Sequence, residues 1–401
     1  MQSLKELYKI GRGPSSSHTM GPERAARDFI ARYPSAARYR VVLYGSLART
    51  GKGHLTDRAL LSVLPPEKTE ILFDASEREL IHPNTLVCSA TDERGNLLGE
   101  ITYLSVGGGT VRAEGELPEE EKDPYPFENF AQMRAYCRAE NLSLGDLAFR
   151  FEGEEMRGYL LEVWRAMQTT AQRGLKREGL LPGVLKVERK AAMLYRAVRD
   201  DGGDGKEDMR LICAYAYATA EENASGGTVV TAPTCGASGV LPAVLLYLTE
   251  KHGLSDEQAV KALAAAGAIG NVVKRNACVS GAEAGCQAEI GTATAMAAAA
   301  VCSVYGYSLE ETEYAAEIAL EHQLGLTCDP IGGYVQIPCI ERNAVAARRA
   351  LDSADLAHVL AGTRKISFDL IVKTMYETGK DLNARYRETS EGGLAAGYRV
   401  C

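Results

Sequence analysis

The chain is 401 residues long, 46% hydrophobic and 24% charged, with a formal charge of −8. That length admits two or three domains with cores of their own. The acidic balance argues against nucleic acid or an anionic membrane as a partner.

The opening segment MQSLKELYKIGRGP lacks a basic stretch leading into an apolar run, so no secretory leader is expected and the expected location is cytoplasmic. Residues 11–29, GRGPSSSHTMGPERAARDF, then gather Ser15, Ser16, Ser17, His18 and Thr19 in one loop. Hydroxyls and backbone N–H groups just before a helix start suit a carboxylate or phosphate. One helix end needs one cap, and this loop offers four hydroxyls and a histidine. The helix that follows sets Ala25, Ala26, Phe29, Ile30 and Tyr33 along one stripe, with Pro22 at its first position.

Strands are expected in RVVLYGSLA, TEILFDA, NTLVCSA and LLGEITYLSVGGG, from their β-branched and aromatic content and their glycine or proline boundaries. The stretch GSLARTGKGHLTD (45–57) invites a phosphate-loop reading that fails. Gly45 is one residue too far from Gly51 and Lys52, and Gly53 stands where a magnesium-binding Ser or Thr is needed. A glycine hinge presenting His54 at a helix start remains; the simpler alternative is a tight turn with a solvated histidine.

Residues 112–129, RAEGELPEEEKDPYPFEN, are acidic and proline-containing and read as a linker with little to bury. Beyond them the pattern is helical almost throughout, and the alanine-rich 290–306 segment reads as a buried helix too short for a bilayer. The expected fold is a small α+β N-terminal domain (1–115), an acidic linker (116–129) and a larger all-α C-terminal domain (130–401).

Ten cysteines contain no C-x-x-C pair, which excludes zinc ribbons and thioredoxin-type motifs. Most are expected in the core. Cys286, Cys328 and Cys339 are the exceptions of interest, the last two flanking a glycine-rich turn. Convergence of three thiolates would suit an iron–sulfide cluster, although on spacing alone three scattered cysteines in a helical bundle are more often core residues.

Five motifs in order, GPSSSHTMGP, GSLARTGKGHLTD, ENASGGTVVTAPTCGASGVLPAVL, VSGAEAGCQAEIG and GLTCDPIGGYVQIPCIERNA, resemble the iron–sulfur-dependent bacterial L-serine dehydratases (L-serine ammonia-lyases). The similarity runs from about residue 8 to about 345 and continues more weakly to the end, in the fused form without an ACT domain. It implies a [4Fe–4S] cluster on Cys286, Cys328 and Cys339, with Cys401 as candidate fourth ligand, and His18 and His54 reaching the cleft. It further implies Asn223, Ser225 and Thr234 near a small amino-acid substrate, and a homodimer. A C-terminal cysteine carries a carboxylate and a Cβ sulfur that overlay serine's carboxylate and β-hydroxyl. Arg12, Leu55 (where glycine is usual), Cys235 and Cys278 depart from the family pattern.

Dehydration of serine removes a Cα proton and the β-hydroxyl, giving pyruvate and ammonia after the enamine collapses. A Lewis-acidic iron would stabilise the leaving oxygen, a neutral imidazole would take the proton, and the serine loop would anchor the carboxylate. His18 and His54 are both candidates for the base. L-cysteine desulfidation or L-threonine deamination on the same scaffold, a pyridoxal-phosphate lyase using Lys274, and a non-catalytic iron–sulfur sensor of amino acids are the alternatives.

Overall fold

The computed structural model describes residues 1–76, 79–115, 123–200 and 206–398. A five-stranded sheet is built from β2 (Arg38–Tyr44), β3 (Thr69–Asp74), β4 (Thr85–Thr91), β5 (Leu97–Ser105) and β6 (Val111–Ala113), in the order β3-β2-β4-β5-β6. Alternation along β2 sends Tyr39, Val41 and Leu43 inward and Arg38 and Arg40 outward, the period a half-covered strand requires. Helix α1 (Gly21–Arg32) covers that face with Ala25, Ala26 and Phe29, and Pro22 lies in its first turn as expected.

β2 and β3 are parallel, so the chain must cross over between them. Two short helices make the crossing, α2 (Gly45–Thr50) and α3 (Thr56–Leu61). The expected strand through RVVLYGSLA therefore stops at Tyr44, where Gly45 adopts φ +56° and the helix begins. His54 sits in the turn between α2 and α3, and it is 1% exposed rather than solvated.

The rest is a helical body. The alanine-rich helix Thr292–Tyr305 runs through its middle, against Asp256–Asn276, Leu309–Glu321 and Cys339–Leu360. Capping boxes at Ser255/Gln258 and Ser308/Glu311 fix two of these helix starts. The stretch Gln287–Tyr305 is long and apolar enough to cross a membrane, yet 78% of it is buried inside the bundle.

Two segments expected outside this body contribute to it. Met1, Leu4, Leu7 and Tyr8 pack in its core, and β1 (Ile10–Arg12) pairs antiparallel with β7 (Thr228–Val230). Tyr125 and Phe127, from the end of the acidic stretch, are buried there too. Cys88, Cys137 and Cys302 are core residues, as the cysteine count suggested.

Candidate active site

Ser16–Met20 form a wide, π-type helical turn that runs directly into α1, a geometry that recurs at functional sites. Its hydroxyls are largely committed within the loop and to its neighbours. Ser15 Oγ accepts from His18 N–H (3.1 Å), Thr19 Oγ1 donates to the His54 carbonyl (2.8 Å), and Thr56 Oγ1 donates to the His18 carbonyl (2.6 Å). Ser16 is buried, and Ser105 Oγ donates to the Ser17 carbonyl (2.7 Å). These bonds lock the serine loop to the α2–α3 turn and bring the two histidines together. Their rings stack with centroids 4.4 Å apart.

Hydrogen bonding separates the roles of the two rings. Ser46 Oγ gives its proton to the Glu388 carbonyl (2.7 Å), so toward His18 Nε2 (3.0 Å) it accepts. His18 therefore carries its hydrogen on Nε2, and Nδ1 accepts from Ser17 Oγ at 2.9 Å. Burial pushes the His18 pKa down to about 4, with Glu388 opposing and His54 reinforcing the shift. His54 Nδ1 donates to the Thr50 carbonyl at 2.9 Å, which leaves Nε2 facing Glu388 Oε1 at 3.4 Å. His18 Nδ1 lies 3.6 Å from the same oxygen.

Glu388 had no motif to announce it. It is buried, with φ +58°, in a tail that folds back on the body. Its N–H donates to the Cys328 carbonyl (2.7 Å), while Cys328 N–H donates to the Tyr386 carbonyl (2.8 Å). Ser390 Oγ donates to the Pro330 carbonyl (2.7 Å), and Leu394 N–H to Asp329 (2.6 Å). The tail thus stitches the cysteine loop to Ser46 of α2. Burial alone would raise the Glu388 pKa; its interactions with His18 and then His54 outweigh burial and lower it.

One small cavity gathers the decisive groups. Ser15, His54, Glu388 and Glu289 line it together with Cys286, Cys328 and Cys339. Cys286 and Cys328 are hydrogen-bonded neighbours, and that bond, followed by the Arg342 guanidinium, draws Cys286 toward thiolate. Burial, then the negative charge of Glu388 and Cys286, pushes the Glu289 carboxyl well above the usual carboxylate range.

Among the described residues, His18, His54 and Glu388 form a set whose ligand atoms all lie within 4.8 Å of one another, and the three thiols do not. A single tetrahedral ion with metal–sulfur bonds of about 2.3 Å would draw its sulfurs to about 3.8 Å. The three thiols face one cavity, Cys286 and Cys328 as hydrogen-bonded neighbours, without all three closing to that distance.

Close backbone approach brings the histidine side onto the cysteine side. A Cβ on Gly53 would stand 2.5 Å from the Gly333 carbonyl, so only glycine fits where the α2–α3 turn meets the 328–339 loop.

Other expected residues stand back from the cavity. Asn223 Nδ2 donates to the Pro14 carbonyl (2.8 Å), and its Oδ1 is buried without a partner. Ser225 is held by Arg189 (2.6 Å) and does not line the cavity; Thr234 is buried beside Glu289. Cys235 contacts Met20, and Lys274 lines a different cavity. Cys401 lies outside the described residues.

Residues 3–70 match the family of the serine dehydratase beta chain and residues 67–395 that of the serine dehydratase alpha chain. The L-serine dehydratase of Streptomyces coelicolor is 42% identical, over 100% of this chain and 99% of its own length. That of Haemophilus influenzae is 39% identical, and L-serine dehydratase 1 of Escherichia coli K12 is 40% identical, each over 98% of this chain and 99% of its own length. With both family regions matched and the likeness sustained end to end, the chain belongs to the serine dehydratase family, its beta- and alpha-chain parts joined in one polypeptide.

Proposed function

We propose that this protein is an L-serine dehydratase, eliminating water from L-serine to give pyruvate and ammonia, at a [4Fe–4S] cluster held by Cys286, Cys328 and Cys339. The observation that carries the reading is the cavity shared by three thiols and His54. The donor set fits such a cluster: soft ligands facing one cavity, and Arg342 beside them to offset thiolate charge. When bound, the cluster supplies Lewis acidity toward the β-oxygen of serine. Cys401 is the candidate for a fourth ligand.

In this mechanism the protein's own groups handle the proton. His54 Nε2 is the base, because its Nδ1 hydrogen is committed to Thr50 and Nε2 opens on the cavity. Glu388 stabilises the imidazolium formed when the Cα proton arrives. His18, neutral and bonded through both nitrogens, holds the His54 ring by stacking and is a positioning residue. Ser15, with Ser16, Ser17 and Thr19 shaping its loop, faces the substrate carboxylate. Glu289, its carboxyl pushed well above the usual range by burial, lines the cavity beside the thiols. Asn223, Ser225 and Thr234 support the wall behind it.

The test is anaerobic preparation, counting of iron and sulfide, and a pyruvate assay on L-serine, L-threonine and L-cysteine in competition. Turnover of L-serine in proportion to cluster content supports the reading. A well-folded anaerobic sample that binds no iron, or one that prefers another amino acid, refutes it.

A further inference from the structure

A second cavity, of about 470 Å³, lies on the seam between the sheet and the helical body, apart from the thiol cavity. Thr110 and Arg112 line it from the sheet side and Lys274 from the Asp256–Asn276 helix. Lys274 Nζ donates to the Glu6 carbonyl at 2.8 Å. Just behind the wall, Lys9 Nζ bonds Thr110 Oγ1 at 2.7 Å and pairs with the Glu6 carboxylate at 2.8 Å. Arg24, from α1, also acts on this group of charges.

The charges here do not balance. Glu6 is the carboxylate set among Lys9, Arg24, Arg112 and Lys274, and Lys9 already engages it. Two acidic groups also line the cavity wall. Asp123 has the N-terminal ammonium (3.1 Å) and Arg275 (3.0 Å), and Glu283 faces His82 at 3.4 Å. Arg24 and Arg112 have no ion-pair partner among the described residues. In a chain of net charge −8, this is a local excess of positive charge at a place where two bodies meet. Burial, and then the repulsion of Lys9, lowers the Lys274 pKa to about 8, a cost that a bound anion would remove.

We propose that this cavity binds a small oxyanion, a phosphate or a carboxylate, gripped by Arg112 from the sheet and Lys274 from the helical body. A guanidinium presents paired N–H donors to two oxygens, and an ammonium adds a point charge on the other side. Because the sheet side carries His18 and His54 and the helical body carries the thiols, a bound anion would brace one half of the catalytic site against the other. The site is independent of the reaction assigned above.

The test uses the full-length, cluster-loaded protein, kept anaerobic, with calorimetric titration of inorganic phosphate, acetate and L-alanine at constant ionic strength in chloride. Saturable binding of one equivalent is expected, weakened about tenfold or more in Arg112→Ala and in Lys274→Met, and partly restored in Arg112→Lys. Tighter phosphate than acetate would identify a phosphate site; tighter acetate or L-alanine, a carboxylate site. Arg112 is exposed and has no ion-pair partner among the described residues, so its variant folds even if Lys274→Met does not. No saturable binding up to about 10 mM of any of the three, or unchanged affinity in Arg112→Ala, overturns the proposal.

Discussion

Replacing Glu388 by Gln keeps the shape of the side chain and removes its charge from beside His54. The carboxylate oxygen stands 3.4 Å from His54 Nε2, so Coulomb's law at an effective dielectric of about 20 gives a gross attraction of about 5 kcal/mol once the ring is protonated. Desolvation and the remaining amide contact reduce that figure. Hydrogen bonds to charged groups are worth about 1.5–3 kcal/mol net, which is about 10- to 150-fold in rate. Glu388→Gln should therefore lower kcat/KM for L-serine by one to two orders of magnitude, mostly in kcat, because the charge matters after proton transfer begins. The assay is anaerobic pyruvate formation, normalised to iron content. A variant with full iron and kcat/KM within about threefold of the parent would refute the assignment of Glu388 as the partner of the base.

Four further outcomes follow from the geometry. Cys286→Ser, Cys328→Ser and Cys339→Ser should each lose most of the bound iron and sulfide, whereas Cys235→Ser and Cys278→Ser should keep both, as elemental analysis would show. Gly53→Ala drives a methyl to 2.5 Å from Gly333; a loss of about 1–3 kcal/mol in denaturant unfolding and a marked fall in turnover are expected, with iron retained. Leu55 holds φ +57° where L-residues are strained, so Leu55→Gly should cost little or raise stability by up to about 1 kcal/mol; a loss above that would contradict the strain argument. His18 titrates at about 4 when folded and near 6.5 when unfolded, so the unfolded chain takes up protons first as pH falls. Its contribution is intact above about pH 7 and is lost downward, by about 1.3 kcal/mol between pH 7.5 and 5.5; His18→Gln should flatten that part of the stability profile.

The outline of the fold was legible because periodicity reports on burial. Tyr39, Val41 and Leu43 alternate as a strand must, and the alanine-rich stretch before Tyr305 repeats as a buried helix must. The crossover was misread at one point: β-branched content carried the expected strand past Tyr44, while Gly45 at positive φ turned the chain into a helix. Within the site, His54 and the three cysteines stood in motifs, and the structure sets them around one cavity. Glu388 was invisible for a physical reason. Its role rests on contacts between segments far apart in sequence, and a lone Glu in RYRETS has no local signature; Ser46 stood inside the GSLARTGKGHLTD motif, but its bond to the Glu388 carbonyl could not be read there. The serine loop was read as a row of free donors; Thr19 instead fastens one histidine segment to the other, while Ser15 and Ser17 bond His18 within the loop.

The tail that carries Glu388 gives assembly an order. Segments emerge from the ribosome in sequence, and early parts fold before late ones are made. The sheet with its histidine pair comes first, the thiol-bearing loop follows, and the strap that fastens Cys328 to Ser46 comes last of the three. A nascent chain thus carries the histidine pair and the cysteine loop before the segment that joins them has been made, so the cavity between them is complete only once that short segment is in place.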